Sequence, residues 1–278
     1  MLQTEGMRFA VLLIIAANLV RAQDPRELVA RAVSADDHSD RLARDYTYKV
    51  RNEITEHDGD GKAGSVRSTL DEVLYIGGKR YFRSLEKDGK PIPASEQRKD
   101  QVQLDRAVSD VNRMTEAERY RRLQEAEQER AKRRAEFKDV PDAFHFKLMG
   151  EVLLEGRAAY EIEATPRADY NGKHSNILRN IQGTVWIDKQ DFNWIKFDGE
   201  VLNPIYLGWF LARIGKGAHI SYDMTRVNDD LWVPKQLSLT VSARFALVKK
   251  INVEQKVTFG DYRKFQTDSR IIPTPSNP

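Results

Sequence analysis

The chain has 278 residues, of which 40% are hydrophobic, and its formal net charge is +3. A chain of this length can bury a substantial core, and so small a net charge gives no indication of a nucleic-acid partner. The absence of cysteine excludes disulfides, thiolate nucleophiles and zinc sites with thiolate ligands. No linker rich in Pro, Gly or Ser divides the chain, so we expect a single domain over residues 23–268.

The N-terminus has the pattern of a secretory signal. An apolar segment over residues 9–20 follows Arg8 and precedes Arg21 and Ala22. A positive residue, a short apolar region and a small residue at the cleavage site are typical of signal peptides. A membrane anchor is the alternative, but a span needs about 20 apolar residues. We therefore predict a signal peptide over residues 1–22, cleaved after Ala22.

The mature chain is predicted to begin with a helix followed by three strands. Leu28, Val29 and Ala32 recur at helical spacing after Asp24 and Pro25, which suit a helix start. Regular alternation over residues 46–54 then predicts the first strand. Two further strands are predicted on either side of the glycine pair at residues 77–78, a dipeptide favoured in hairpin turns.

A highly charged segment interrupts the strands at residues 95–138. It has a sparse apolar stripe and contains no glycine or proline, which predicts a largely exposed helical insertion. Thr115 and Glu118 have the spacing of a capping box, so we expect a break near Met114 and two helices. The insertion has two interpretations, a solvated flap or an arm that binds a protein partner.

Strands resume after the insertion. Two are predicted around a turn at Glu155 and Gly156. A hairpin over residues 183–202 follows, and its alternation places one apolar set on a single face. The members of this set are Val185, Ile187, Ile195, Phe197 and Val201. A hairpin of this kind needs further strands or a cover over its apolar face.

The next segment is almost entirely apolar. Asn203 can cap a helix, Pro204 suits the first helical position and Gly215 can end a helix. We therefore predict a short buried helix over residues 204–214 that carries Trp209 and Phe210.

The last third of the chain is predicted to be a meander of long strands. Leu237, Leu239, Val241 and Phe245 alternate with polar residues. A partner strand over residues 251–265 repeats the pattern, and strands this long indicate a wide curved sheet. Residues 269–278 are expected to form a flexible tail.

The chain lacks the motifs of common catalytic and metal sites. Its five histidines are scattered over unrelated elements, and no pair has the spacing of metal ligands on one helix face. The nucleophile elbow, the phosphate-binding loop and the dinucleotide-binding glycine motif are absent. Paired carboxylates such as Glu161 and Glu163 lie on predicted exposed strand faces, which do not tune their pKa for catalysis. We expect neither an enzyme, nor a metal, nor a cofactor.

The order of these elements resembles that of a known family. The residues that carry the likeness are Gly-x-x-Trp-Ile-Asp-Lys at 183–189, the return strand at 194–200 and Asp-Tyr-Arg-Lys-Phe at 261–265. Together with the signal and the C-terminal meander, they resemble the LolA-like outer-membrane lipoprotein-sorting proteins, whose relatives include RseB-like envelope sensors. The resemblance covers residues 46–265 and implies an α+β, mainly β fold. That fold is a curved, antiparallel, half-open β-barrel with helices over its concave face, here with a charged helical insertion that the compact carriers lack.

The resemblance implies a periplasmic carrier for lipid or lipoprotein acyl chains, involved in outer-membrane lipoprotein sorting. Burial of each methylene contributes about 0.8 kcal/mol, so an apolar cleft holds such chains without catalytic residues. The predicted lining of the cleft is Ile187, Ile195, Phe197, Leu239, Val241 and Phe245. Trp209 and Phe210 are predicted to form a plug or lid. The alternative is a non-catalytic, RseB-like envelope sensor or scaffold that binds an inner- or outer-membrane protein through the charged insertion.

Overall fold

The computed structural model describes residues 23–57, 63–135, 138–207, 212–228, 231–245 and 249–264. The predicted signal peptide and the predicted tail lie outside these residues. The described helices are α1 (Pro25–Leu42), α2 (Ala94–Arg113), α3 (Glu116–Ala135), α4 (Val140–Ala143) and α5 (Ser175–Leu178), with a 3-10 turn at Ala43–Asp45.

The strands of the first half are β1 (Tyr46–His57), β2 (Ala63–Ile76), β3 (Lys79–Lys87), β4 (Lys90–Pro91), β5 (Phe144–Leu154) and β6 (Arg157–Pro166). Those of the second half are β7 (Ile181–Asp188), β8 (Trp194–Val201), β9 (Ile205–Leu207), β10 (Ala212–Ile214), β11 (His219–Val227), β12 (Leu231–Phe245) and β13 (Lys249–Lys264).

The strands form one curved antiparallel sheet. Eleven of them lie in the order β4-β3-β2-β1-β13-β12-β11-β8-β7-β6-β5, and β9 and β10 branch from β12. The two ends of this order, β4 and β5, do not pair with each other, so the described sheet is open. The predicted α+β, mainly β class and the antiparallel open sheet are confirmed.

Helix α1 packs across one side of the sheet. The Asp24 side chain caps it by accepting a hydrogen bond from the amide of Arg26 at 2.9 Å, and Pro25 occupies the first turn. Its apolar face contacts β5, β7 and β12, and Leu28, Val29 and Ala32 are buried. The side of the sheet that carries α1 therefore holds the main core, and the predicted N-terminal helix is confirmed.

The charged insertion consists of two helices with a sharp break between them. The Thr115 amide donates to Glu118 Oε2 at 2.8 Å, and the Glu118 amide donates to Thr115 Oγ1 at 3.3 Å. This reciprocal pair is a capping box at the start of α3, and Met114 before it has an extended backbone. The predicted break and the two predicted helices are confirmed.

The helix pair is anchored on the turn between β2 and β3. Arg122 Nε of α3 donates to the carbonyl of Gly77 at 3.0 Å, and the Tyr81 hydroxyl donates to the carbonyl of Asp100 in α2 at 3.1 Å. Gly77 and Gly78 have φ values of +54° and +80°, which glycine adopts without steric cost. The predicted hairpin at this glycine pair is confirmed, and the two helices pack against it.

The predicted helix over residues 204–214 is wrong in the residues that the structure describes. Ile205–Leu207 and Ala212–Ile214 are strands β9 and β10, which pair as a hairpin and extend the sheet. The pairing of β11 with β12 ends at Thr240, so β12 beyond this residue offers a free edge, and β10 pairs with it from Ala243 to Phe245. An apolar segment without clear periodicity is compatible with a helix or with a strand, and the free edge of β12 favours the strand.

The described helices also bear on membrane insertion. None of them combines the length and the apolar character that a transmembrane helix requires.

Candidate functional site

A row of apolar side chains crosses the middle of the sheet. Phe197 of β8 lies directly opposite Tyr222 of β11, which lies opposite Leu237 of β12, which in turn lies opposite Val257 of β13. Directly opposite residues of antiparallel strands place their side chains on the same face. Phe197 packs against the core cluster that contains Leu28 of α1, so the row lies on the side that carries α1.

The row belongs to a larger surface, which we call the apolar face. Neighbouring pairs in register, such as Val50 with Phe259 and Ile220 with Leu239, extend it along the strands. Its members are Tyr48, Val50, Phe197, Ile220, Tyr222, Leu237, Leu239, Val257 and Phe259, and all of them are half-buried. Helix α1 buries the sheet at the β5 to β8 end, while the apolar face over β11, β12, β13 and β1 keeps part of its surface exposed.

Two hydrogen-bonded pairs of polar side chains lie beside the apolar face on the same side of the sheet. Gln255 Nε2 of β13 donates to Asn52 Oδ1 of β1 at 2.8 Å. Ser84 Oγ of β3 donates to Asp71 Oδ1 of β2 at 2.8 Å. Paired groups lower the cost of covering this surface with an apolar ligand, because buried polar groups without partners are unfavourable.

Aromatic rings gather at one end of the apolar face. The ring of Tyr48 stacks on Tyr262 at 5.2 Å and lies 6.4 Å from Phe259. The Tyr262 hydroxyl donates to the carbonyl of Pro234 at 2.7 Å. Burial raises the pKa of both Tyr222 and Tyr262, and the charge of Asp36 in α1 raises that of Tyr222 further. These phenols stay neutral, which suits an apolar surface.

The predicted lining residues are distributed over three different clusters. Ile187 and Phe197 belong to the cluster under α1, where Ile187 is completely buried. Ile195 packs with Met224 and Trp232 in a second cluster.

Two more predicted lining residues lie further along the sheet. Val241 packs against a third cluster around Val201, and Leu239 is a half-buried member of the apolar face. Trp209 and Phe210 lie outside the described residues, and so does the side chain of Phe245, although its backbone pairs with Ala212 in the sheet. Of the predicted set, Phe197 lies in the half-buried row and Leu239 lies in the register next to it, with β11 between their strands.

The sequence reasoning missed most of the apolar face. Tyr48, Val50, Val257 and Phe259 alternate in phase along β1 and β13, so their shared side was visible in each strand. The pairing of β1 with β13 was not visible, because it joins opposite ends of the chain. In-phase alternation in the first and last strands was the signal that could have identified them.

Two cavities lie close to the helical insertion. One has a volume of about 330 Å³ and is lined by residues of α2, including Leu104 and Val108. The other, of about 360 Å³, lies between α3 and the turn after β2; we call it the basic cavity. Its lining is Arg44, Tyr75, Gly78, Lys79, Arg80, Ala126, Glu129 and Arg130.

The ion-binding capacity of the structure is limited. The described part of the chain contains no group of three or more His, Asp or Glu side chains that could hold a metal ion. The ion pair between Arg157 and the buried Asp188 is engaged in hydrogen bonds with its neighbours. The apolar face and the basic cavity are the surfaces of the described chain that could bind a ligand.

Comparison with known proteins found similarity at the level of structure. No family model matches the sequence, and neither does any curated protein. Among solved structures, the chain is similar to a domain described as an outer membrane lipoprotein-sorting protein from Vibrio parahaemolyticus, at 10% identity and a TM-score of 0.34. That match covers 87% of this chain and 95% of the other.

Further structural matches are of the same kind. A LolA superfamily protein from Nitrosomonas europaea matches at 11% identity with a TM-score of 0.30, covering 88% of this chain and 94% of the other. A complex of MucA and MucB from Pseudomonas aeruginosa matches at 10% identity with a TM-score of 0.25, covering 88% and 100%. Two of these three structures are described as lipoprotein-sorting or LolA superfamily proteins. At such low scores, the function has to be inferred from the contacts of this chain.

Proposed function

We propose that this protein is a non-catalytic periplasmic carrier that binds the acyl chains of a lipid or lipoprotein on the apolar face. The observation that supports the proposal is the continuous, half-buried row of apolar side chains across β8, β11, β12 and β13. The signal peptide predicted at residues 1–22 supports the periplasmic location.

The physical basis is the hydrophobic effect on a surface that is already half desolvated. Leu237, Leu239 and Val257 are neighbours in register and expose part of their apolar surface. An acyl chain laid across them gains about 0.8 kcal/mol for each methylene removed from water. A chain of ordinary length therefore gains enough free energy for binding after the loss of translational freedom.

A substitution within β12 tests the proposal. Leu239 belongs to the apolar face, whereas the neighbouring Thr240 is exposed and alternates to the other side. The probe is monooleoylglycerol, a neutral lipid with one acyl chain. We expect Leu239→Gln to weaken its binding by about tenfold, because a polar amide replaces an apolar contact. Thr240→Gln, the matched control, should bind as the unsubstituted protein does.

Two measurements decide the outcome. Native mass spectrometry of the protein purified from a membrane-bearing host should detect bound lipid, and titration calorimetry should give the dissociation constants of the two variants. If neither endogenous lipid nor monooleoylglycerol binds, the carrier proposal is wrong. Equal weakening by both substitutions would place the ligand elsewhere.

A second candidate function is an envelope sensor or scaffold that binds a protein partner. Its support is the apolar surface on the helical insertion, where Tyr120 is 64% exposed and Val102 and Leu123 are about half exposed. Exposed apolar side chains form a protein-binding surface where they are contiguous. Deletion of residues 95–138 separates the two candidates, because a scaffold then loses its partner in pull-down experiments while a carrier keeps monooleoylglycerol bound to the apolar face.

A further inference from the structure

The basic cavity has the composition of an anion-binding site. Four cationic side chains line its volume of about 360 Å³, and Glu129 is the one carboxylate among its described lining residues. The cations are Arg44, Lys79, Arg80 and Arg130. Guanidinium groups are the preferred partners of phosphate oxygens, because they offer several N–H donors in one plane.

One wall of the cavity is fixed in place by α3. Arg130 Nη1 donates to the carbonyl of Gly78 at 3.1 Å, and its Nη2 donates to Glu127 Oε2 at 3.3 Å. The Arg130 side chain is only 9% exposed, so its guanidinium is held between α3 and the turn after β2. A site with such a wall is formed before a ligand arrives.

Two guanidinium nitrogens at the cavity remain without protein acceptors. Arg130 Nε and Arg44 Nε are both buried, and neither has a hydrogen-bond partner among the described residues. Buried N–H groups normally have partners, and an unpartnered one is unfavourable. Both arginines line the same cavity, so their positive charges act on an anion placed in it.

Carboxylates beside the cavity pair with several of its cations. Glu127 is shared between Arg44, at 2.8 Å, and Arg130. Glu125 lies 3.8 Å from Lys79, which is the distance of a weak ion pair. Among the described residues that line the cavity itself, four are cationic and only Glu129 is a carboxylate, so the lining attracts an anion.

The basic cavity adjoins the apolar face. Tyr75 and Arg80 line the cavity and lie opposite each other in register on β2 and β3, and Arg80 Nε donates to the Tyr75 hydroxyl at 3.0 Å. Two residues along β2, Val73 lies opposite Tyr48 of the apolar face. The side-chain period of a strand is two residues, so Tyr75 and Val73 point to the same side of the sheet as Tyr48.

We propose that the basic cavity binds the phosphate-bearing headgroup of a lipid whose acyl chain lies on the apolar face. This proposal rests on the proposed function and adds a chemical class to its ligand, an anionic phospholipid. The division of labour is physical: burial of the chain supplies affinity, and charge-assisted hydrogen bonds from Arg44, Arg80 and Arg130 select the headgroup.

The test compares two lipids that differ only in the headgroup. Oleoyl lysophosphatidic acid and monooleoylglycerol carry the same acyl chain, and only the first has a phosphate. With the full mature chain, titration calorimetry should show about tenfold tighter binding of the phosphate lipid, because hydrogen bonds to a charged acceptor exceed neutral ones. Arg44→Gln and Arg80→Gln should each reduce this preference, because they weaken the binding of the phosphate lipid more than that of monooleoylglycerol.

The control is Arg67→Gln, which removes the same charge from an exposed arginine paired with Glu56 on the same sheet. It should leave the preference intact, and circular dichroism should show all variants folded. Equal affinity of the unsubstituted protein for both lipids overturns the headgroup proposal and leaves the carrier proposal standing. Failure of both lipids to bind means that the carrier proposal itself is wrong.

Inorganic phosphate distinguishes a headgroup from a free anion. If phosphate alone binds as tightly as lysophosphatidic acid, and Leu239→Gln leaves the affinity for lysophosphatidic acid unchanged, the cavity is a free-phosphate site and the lipid assignment is wrong. Weak phosphate binding that competes with lysophosphatidic acid but not with monooleoylglycerol supports the headgroup assignment.

Discussion

Asp188, the Asp of the Gly-x-x-Trp-Ile-Asp-Lys motif at residues 183–189, has a structural role. Its side chain is 1% exposed and accepts hydrogen bonds from Arg157 Nε at 2.5 Å and Nη2 at 2.8 Å. The amides of Gln190 and Asp191 also donate to it, each at 2.8 Å. Asp191 in turn accepts from Trp232 Nε1 at 3.0 Å. The Asp in the strand motif therefore shapes the turn between β7 and β8 and ties it to β6 and β12.

Substitution of Asp188 should destabilise the protein. We expect Asp188→Asn to lower the free energy of unfolding by about 3 kcal/mol, because the charge of Arg157 then lacks its buried partner. Urea unfolding followed by circular dichroism measures the change. Asp169→Asn is the control, since that carboxylate is 72% exposed and its pair with Arg167 lies at the surface. Similar effects of both substitutions would contradict a structural role for Asp188.

The same residue predicts a pH dependence. Burial opposes the ionisation of Asp188, but the hydrogen bonds from Arg157 and from two amides outweigh burial, so the pKa of the carboxyl lies below its usual range. A depressed pKa adds stability above the ordinary carboxyl pKa, and that stability is lost as the pH falls through the folded-state pKa. The difference in unfolding free energy between the protein and Asp188→Asn should therefore shrink as the pH falls below about 4, the ordinary pKa of an aspartate carboxyl. A constant difference would exclude this linkage.

The turn between β2 and β3 joins the helical insertion to the sheet. A Cβ atom on Gly77 would lie 2.8 Å from Val111 Cγ2 of α2 and 2.8 Å from Arg122 Nε of α3. Gly89 also has a positive φ, of +71°, but a Cβ atom there meets nothing within 4 Å. Alanine substitutions at these two glycines therefore distinguish the cost of the left-handed backbone from the cost of crowding the two helices.

Gly77→Ala should destabilise the protein more than Gly89→Ala. Both substitutions cost about 1 kcal/mol for the left-handed backbone. Gly77→Ala adds about 1 kcal/mol or more of overpacking, because the β-branched Val111 has little freedom to move. Chemical denaturation of both variants gives the comparison. Equal losses would mean that α2 and α3 pack loosely on this turn.

The elements differ in how far the sequence predicted them. Thr115 and Glu118 are local partners, so their spacing was sufficient to predict the break between α2 and α3. Residues 205–207 and 212–214 form strands because β12 offers a free edge beyond Thr240, which is information that no local pattern contains. Arg44 and Arg130 meet only when α3 folds over the turn after β2, so the basic cavity had no signal in the spacing of its residues.

At the scale of the whole molecule, the sheet connects every large element. Its hydrogen-bonded order runs from β4 to β5 without interruption among the described strands. Strands with wide sequence separation, such as β1 and β13, lie side by side in its middle. The sequence predicted the individual strands well but not this order, since alternation gives the buried side of a strand and not its neighbour.

The continuous sheet predicts cooperative unfolding. Trp186, Trp194 and Trp232 lie on β7, β8 and β12, so tryptophan fluorescence is sensitive to that part of the sheet, whereas circular dichroism reports on all of it. We expect both signals to change in one transition with the same urea midpoint, as for a single domain. Separate midpoints would divide residues 23–268 into at least two folding units.

The position of β13 has a consequence for the order of events during synthesis. This strand lies between β1 and β12 and pairs with both along most of its length. The nascent chain therefore lacks the strand between β1 and β12 until β13 has been synthesised. Contacts between segments far apart in the sequence form slowly. The sheet is therefore expected to form only after β13 has been synthesised, which suits the export that the predicted signal peptide implies.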